Sequence, residues 1–171
     1  IELKDGIAFD ETYGHIDDVC FFVRPGVLAL SWTDDEDNPQ YPNLKAAYDV
    51  LSEATDAKGR TFEIHKIPIP GIIRISEEES AGVDLCKDAA SREADLPLAI
   101  TYINSYFVNG GLLVPQYGDP MDQVACDMFA ELMPDREIIK IYTREWSLCG
   151  GNIHCMALQQ PDPAAIAAKL G

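Results

Sequence analysis

Positive charge is scarce in this chain. Thirteen Lys and Arg stand against 29 Asp and Glu, a formal net charge of −16. A surface of that sign repels phosphate, which argues against nucleic acid and anionic membrane as partners; it attracts a small cation only weakly, and such acidity commonly serves solubility alone. Long hydrophobic runs are missing as well. No apolar stretch approaches the roughly 18 residues that a membrane span needs, and no signal peptide is read, so a soluble cytoplasmic protein is expected. The cysteines at 20, 86, 126, 149 and 155 are odd in number and follow no framework spacing, which argues for reduced thiols rather than a disulfide scaffold. Neither a CxxC nor an HxxxH pair occurs, so the common zinc spacings are absent too.

What is there suffices for a core. At 47% hydrophobic residues, the 171-residue chain has the composition of one globular domain or slightly more. It starts at Ile1 rather than Met, which reads as a processed or trimmed chain or a piece of a longer one.

The organisation repeats. "VCFFVRPGVLALSW" (19–32) is two apolar runs around Arg24-Pro25-Gly26, a hairpin. "NLKAAYDVLSEATDAKG" (43–59) follows, with Leu44, Ala47, Tyr48 and Leu51 on one helical face and Gly59 as the stop. "TFEIHKIPIP" (61–70) alternates like a strand. Then "ITYINSYFVNGGLLVPQ" (100–116) reads as a second hairpin around Asn109-Gly110-Gly111. "DPMDQVACDMFAELMPD" (119–135) is its helix, with Asp119 as N-cap, Pro120 in first position and a buried stripe of Met121, Val124, Ala125, Met128, Phe129 and Leu132. "REIIKIYT" (136–143) is the closing strand. Hairpin–helix–strand thus occurs twice, an α/β fold built by repetition. The acidic stretch 75–95 between the repeats reads as a surface excursion with one helical turn, and the tail 161–171 as ending in a short helix.

Reactive groups concentrate in "DETYGHIDD" (10–18) and "CGGNIHC" (149–155). His15 and Asp17, two apart, share a face if they lie on a strand, and such a pair either binds a cation and moves a proton or is a surface ion pair. Gly14 just before them implies a tight backbone. Cys155 follows Gly150 and Gly151, residues that let a backbone approach something closely. Its thiol is either a nucleophile, reactive as the thiolate, or a buried structural cysteine. A zinc site from Cys149, His154, Cys155 and His15 is opposed by adjacency, since neighbours on a strand point to opposite faces.

At these residues a family resemblance appears. "GHIDDVCFFVRPGVLALSWTDDEDNPQY", "DAKGRTFEIHKIPIPG", "SEEESAGVD", "YINSYFVNGGLLVPQYGDP" and "PDREIIKIYTREWSLCGGNIHCMALQQP", in this order, closely resemble the agmatine deiminases of the guanidine-modifying pentein superfamily. The likeness runs from about Asp10 to Pro161. It implies a pentein-type α/β propeller of repeated ββαβ units, of which this chain holds only part of the five-bladed ring, as the C-terminal part of the catalytic domain over residues 1–171. It implies hydrolysis of agmatine to N-carbamoylputrescine and ammonia, a step of polyamine biosynthesis, with no cofactor and no metal. It puts the nucleophile on Cys155, the acid–base histidine on His15 and the guanidinium-binding carboxylate on Asp17, with Gly150 and Gly151 lining the substrate. A homo-oligomer and a complementary N-terminal half, in the same or another chain, are the implied partners beside agmatine. The run before "NIHC" departs from the family by being shorter, with Cys149 where a glycine is expected. A related arginine-type deiminase and a non-catalytic pentein fragment are the competing readings.

Overall fold

The computed structural model describes residues 3, 5–10, 14–84, 92–160 and 162. Two tight turns start its two halves. In the first, Pro25 and Gly26 (φ +84°) reverse the chain between β1 (Cys20–Arg24) and β2 (Val27–Trp32), which pair antiparallel. In the second, Asn109 and Gly110 (φ +77°) do the same between β4 (Tyr106–Val108) and β5 (Gly111–Gln116). Positive φ is cheap only for glycine, which is why both turns carry one.

Each second strand is then joined by a parallel third. β3 (Glu63–Pro68) runs beside β2 in the register Val27↔Glu63 to Trp32↔Pro68. β6 (Glu137–Tyr142) runs beside β5 from Gly111↔Glu137 to Gln116↔Tyr142. Parallel neighbours need a crossover, and each half supplies a helix for it: α1 (Tyr41–Glu53) and α3 (Met121–Leu132). The ββαβ unit read from the sequence is therefore present twice, as two three-stranded sheets with the same strand order. The middle strand β2 is buried along its whole length, as a strand covered on both faces must be.

Three details differ from the sequence reading. α1 buries Leu44, Ala47 and Leu51 as expected, but it ends at Glu53, not at Gly59. Asp56 there accepts hydrogen bonds from the backbone of Lys58 and Arg60 and from the Arg60 side chain, and Thr55 bridges Thr61. The aspartate offers the chain a tight turn, with Gly59 at φ +75°, in place of another helical turn.

α3 is rotated relative to the expected stripe. Ala125, Cys126 and Phe129 are buried and Met128 and Leu132 pack partly, while Met121 and Val124 are exposed. The cause is Asp122, one turn before Cys126. Its carboxylate accepts from the amides of Tyr117, Gly118 and Asp119 and from the Tyr102 hydroxyl, which turns the 122/126/129 face inward. The helix begins one residue later than expected, with Pro120 rather than Asp119 at the N-cap, and Asp119 Oδ1 accepts from the Met121 amide at 2.8 Å.

The second hairpin also starts late. Ile100–Ser105 was expected as strand, yet these six buried residues are irregular and β4 begins only at Tyr106. Their polar groups are met by side chains instead of a ladder: the Tyr117 hydroxyl donates to the Thr101 carbonyl and the Ser105 hydroxyl to that of Tyr102.

The excursion between the repeats holds a six-residue helix, α2 (Glu77–Gly82), with a reciprocal Ser76–Glu79 capping box. Arg144, in the short helix α4 (Arg144–Ser147), grips Glu79 through Nε at 2.5 Å and Nη2 at 2.9 Å and holds that carboxyl at about 2. The short helix expected at the end of the 161–171 tail lies outside the described residues, as does Cys86. Cys20, Cys126, Cys149 and Cys155 are all free, and no helix among the described residues is long and apolar enough to cross a membrane.

One core runs between the halves. Ala29 and Ile67 of the first pack with Leu112, Val114, Ala125 and Phe129 of the second, and Phe21 stacks on Phe129 with ring centroids 5.7 Å apart. Phe129 is fully buried at this junction. Phe129→Ala should therefore cost about 3–5 kcal/mol of stability; urea denaturation of the variant, read as a fall in midpoint at unchanged slope, checks it.

Candidate active site

Three segments from different parts of the chain converge. The first precedes β1. Gly14 (φ +89°) sits so close to Gly6 that a Cβ on Gly6 would lie 2.5 Å from the Gly14 Cα, and Asp10 Oδ2 accepts from the amides of Gly14 and His15. After this pinned corner, Ile16–Asp18 forms a single 3₁₀ turn. The strand assumed for His15 and Asp17 is thus replaced by a turn. The Ser31 hydroxyl of β2 anchors that turn by donating to the Asp18 carbonyl at 2.8 Å.

The second segment is the irregular stretch before β4, which delivers Asn104, itself buried. The third is the four-residue helix α5 (Ile153–Met156), which carries His154 and Cys155. Asn152 starts it, its Oδ1 accepting from the Ile153 amide at 2.8 Å. A helix turns neighbouring side chains by about 100°, so the opposite-face argument for a strand does not apply here. His154 and Cys155 both reach Asp17.

The geometry centres on Asp17 Oδ2. His154 Nδ1 lies 2.8 Å from it and the Cys155 thiol 3.3 Å. His15 Nδ1 stands 3.8 Å from the other oxygen, Oδ1. The Asn104 amide nitrogen reaches Cys155 Sγ at 3.2 Å, Asp18 Oδ1 at 3.2 Å and Asp17 Oδ2 at 3.4 Å. Its carbonyl oxygen accepts from the His154 backbone amide at 2.9 Å. Thr101 Oγ1 also donates to Asp18 Oδ1, and the Tyr106 ring meets the His154 ring edge-on.

Burial and the neighbouring Asp17 charge push the Asp18 carboxyl up to about 7, against the pull of its bonds from Asn104 and Thr101. Burial likewise pushes the Cys155 thiol up, and Asp17 adds to this, while a backbone hydrogen bond from Asn152 and the Asn104 amide pull it down. The site therefore disfavours its own anions, and a cation placed against Asp17 would relieve both groups.

The glycines before α5 have distinct parts. Gly150 takes φ +80°, and a Cβ there would lie 3.0 Å from the Arg92 guanidinium. A Cβ on Gly151 would lie 3.0 Å from the Cys155 Cβ and 3.6 Å from its sulfur. Gly151 thus leaves the space beside the thiol open, and Cys149 is exposed ahead of them. Asp17, Asp18 and Cys155 offer three donor atoms within 4.8 Å of one another, a different set from the Cys149, His154, Cys155 and His15 group weighed from the sequence. The two N–H hydrogens of Asn104 are shared among all three, the wrong polarity for a metal ion's neighbours.

Of the residues singled out in the sequence, Asp17 and Cys155 touch, His15 flanks Asp17, and Gly151 abuts the thiol. Asp18 and Asn104 were missed, and His154 was weighed only as a metal ligand. Asn104 lay in view within "YINSYF", but a strand assignment hid it.

The chain belongs to the family described as Porphyromonas-type peptidyl-arginine deiminase, whose model matches residues 1–161. It is 48% identical over 164 residues to the agmatine deiminase of Pseudomonas fluorescens, covering 96% of this chain and 45% of that protein. It is 47% identical over 161 residues to that of Pseudomonas putida, covering 94% and 44%. The solved agmatine deiminase of Enterococcus faecalis superposes with a TM-score of 0.88 at 37% identity, over 94% of this chain and 44% of that one. The chain spans about 45% of the length of the curated relatives it matches.

The elevated Asp18 carboxyl makes a signed prediction. Folding raises its affinity for a proton from the ordinary 3.8 to about 7, so its contribution to stability is present below the unfolded value and is lost as pH rises through about 7. Asp18→Asn mimics the protonated form at every pH. The stability of wild type minus variant should fall steadily between about pH 4 and pH 7 in urea titrations, and a flat difference would contradict the assignment.

Proposed function

We propose that this chain carries the nucleophile-bearing part of a hydrolase that converts agmatine to N-carbamoylputrescine and ammonia, a step toward putrescine and the polyamines, with no cofactor. The observation that carries the reading is the contact of a thiol with a carboxylate, Cys155 Sγ to Asp17 Oδ2 at 3.3 Å. A carboxylate binds a planar guanidinium through charge-assisted N–H bonds. That bond brings the guanidinium carbon to the thiol beside it.

The steps balance. The Cys155 thiolate attacks the carbon and an S–C bond forms. His15 gives a proton to the leaving nitrogen, the C–N bond breaks and ammonia departs, leaving a thiouronium on the sulfur. His15 then takes a proton from water as its oxygen joins the carbon. The S–C bond breaks as the oxygen gives its remaining proton to solvent, the thiolate returns and the ureido product leaves. Asn104, 3.2 Å from the sulfur, stabilises the thiolate at both ends of the cycle. The backbone at Gly150 and Gly151 lines the approach beside the thiol.

A guanidinium has five N–H donors in arginine-like form, more than Asp17 alone serves. We infer that the remaining acceptors come from a complementary half, which with these two ββαβ units completes a five-bladed pentein propeller. The assembly is a homo-oligomer in the cytoplasm. The family's description favours a second reading, an arginine or peptidyl-arginine substrate. Assaying ureido product from agmatine, free arginine and an arginyl peptide with the complete enzyme separates the two; agmatine should be turned over far faster.

Cys155→Ala should lower kcat by at least about a thousandfold while leaving the fold intact, whereas Cys20→Ser retains most activity. Near-normal turnover in the alanine variant would refute the mechanism.

Asp17→Asn should move two readouts in opposite directions. Losing the charge weakens guanidinium binding, so kcat/KM for agmatine falls by about tenfold to a hundredfold. The same loss removes a group that pushes the thiol up, so alkylation of Cys155 by iodoacetamide at neutral pH becomes faster.

A further inference from the structure

Behind the thiol lies a buried polar ladder that the reaction itself does not use. Tyr117 follows β5 and is 3% exposed, and Asn152 at the start of α5 is 5% exposed. The Asn152 amide nitrogen donates to the Tyr117 hydroxyl at 2.9 Å and to Ser147 Oγ at 3.1 Å. The Tyr117 hydroxyl in turn donates to the Thr101 carbonyl at 2.9 Å. Thr101 is fully buried, and its own hydroxyl donates to Asp18 Oδ1 at 3.2 Å. One tyrosine hydroxyl thus ties the segment that positions Asp18 to the residue that begins the helix of Cys155.

We infer that the Tyr117 hydroxyl and the Asn152 side chain are a positioning pair, which sets the Cys155 thiol against the Asp17–Asp18 carboxyl pair. Three observations support this. Three hydrogen bonds fix the Asn152 amide: Oδ1 caps Ile153 while both hydrogens of Nδ2 have acceptors. The orientation of the side chain is therefore determined, and with it the first turn of α5. The Asn152 backbone is also among the groups that pull the Cys155 thiol down, so the position of this residue bears on how well the thiolate is stabilised. Tyr117 itself is held as a donor, since burial and the nearby Asp18 and Asp122 push its hydroxyl well above the ordinary tyrosine value. A helix as short as α5 has little stability of its own, so its geometry must be imposed from outside, and this ladder reaches it from below.

The turnover arm of the test rests on the proposed reaction; the alkylation arm does not. In the complete protein, Tyr117→Phe keeps the ring and removes only the hydroxyl. The rate of Cys155 alkylation by iodoacetamide, followed by peptide mass mapping across pH, should show its midpoint moved up by about half a pH unit or more as the Asn152 backbone bond loosens. With agmatine, kcat should fall by about tenfold or more while KM changes by less than about threefold, because the thiol and not the guanidinium clamp is displaced. A lowered melting temperature with the alkylation profile and kcat of the wild type would overturn the inference and leave Tyr117 a core residue only. Should the wild type fail to turn over agmatine, the alkylation midpoints still decide. If Tyr117→Phe does not fold, Asn152→Ser retains a capping oxygen but loses the amide donors, and the same shift and the same contrary result apply to it.

Discussion

The Asn104 amide nitrogen lies within 3.4 Å of three acceptors, the Asp17 and Asp18 carboxylates and the Cys155 sulfur. An NH2 group has two hydrogens. Two carboxyl groups and a thiol therefore compete for one amide, and the site resolves the conflict by keeping protons. The Asp18 carboxyl is pushed up to about 7, and the thiol is held above its ordinary value with Asp17 as its acceptor. The rest of the structure serves this crowding, since anionic groups repel at such distances unless the chain forces them together.

The force comes from the repeat. Asp18 stands two residues before the first strand of one ββαβ unit, and Asn104 stands two residues before the first strand of the other. The two pre-hairpin segments meet because their units share a core, in which Ala29 and Ile67 pack with Leu112 and Phe129. The contacts that decide the electrostatics, Asn104 and Thr101 to Asp18, are contacts between corresponding parts of a duplicated structure. Each unit also closes in the same way, with the Ile69 amide donating to the Trp32 carbonyl and the Thr143 amide to the Gln116 carbonyl. From the second of these closures the chain continues through α4 and the two glycines to α5, which lays the thiol over the junction.

The regular parts of this scheme were legible in the sequence because each has a local cause. Gly26 and Gly110 mark turns that need positive φ, and Leu44, Ala47 and Leu51 recur at helical spacing. What was not legible depends on partners distant in sequence. The burial of Ile100–Ser105 suggests a strand, but its backbone is met by the hydroxyls of Tyr117 and Ser105 rather than by a ladder. The rotation of α3 follows from four hydrogen bonds gathered by Asp122, an acidic residue that a hydrophobic stripe counts as solvent-facing. His15, Asp17 and Cys155 were named through the family resemblance as the proposed site residues, whereas Asn104 has no periodic or compositional signal. Its importance arises only once the Asp17, Asp18 and Cys155 segments, separated by more than fifty residues of chain on one side and more than eighty on the other, are folded against it.

Under the proposed reaction, the same crowding explains why a site that disfavours its own thiolate would suit a cationic substrate. In the free site, charging the sulfur places an anion 3.3 Å from a carboxylate that already accepts from His154. A guanidinium bound at Asp17 reverses the sign of that neighbour. It satisfies the carboxylate, so the thiol no longer needs Asp17 as its acceptor, and it offers positive charge directly to the sulfur. Asn104 and the Asn152 backbone remain as hydrogen-bond donors to the thiolate once the Asp17 contact is given up. Under the proposed reaction the nucleophile is thus charged chiefly when the carbon it attacks is already in place, and a vacant site keeps its sulfur protonated and less open to stray electrophiles.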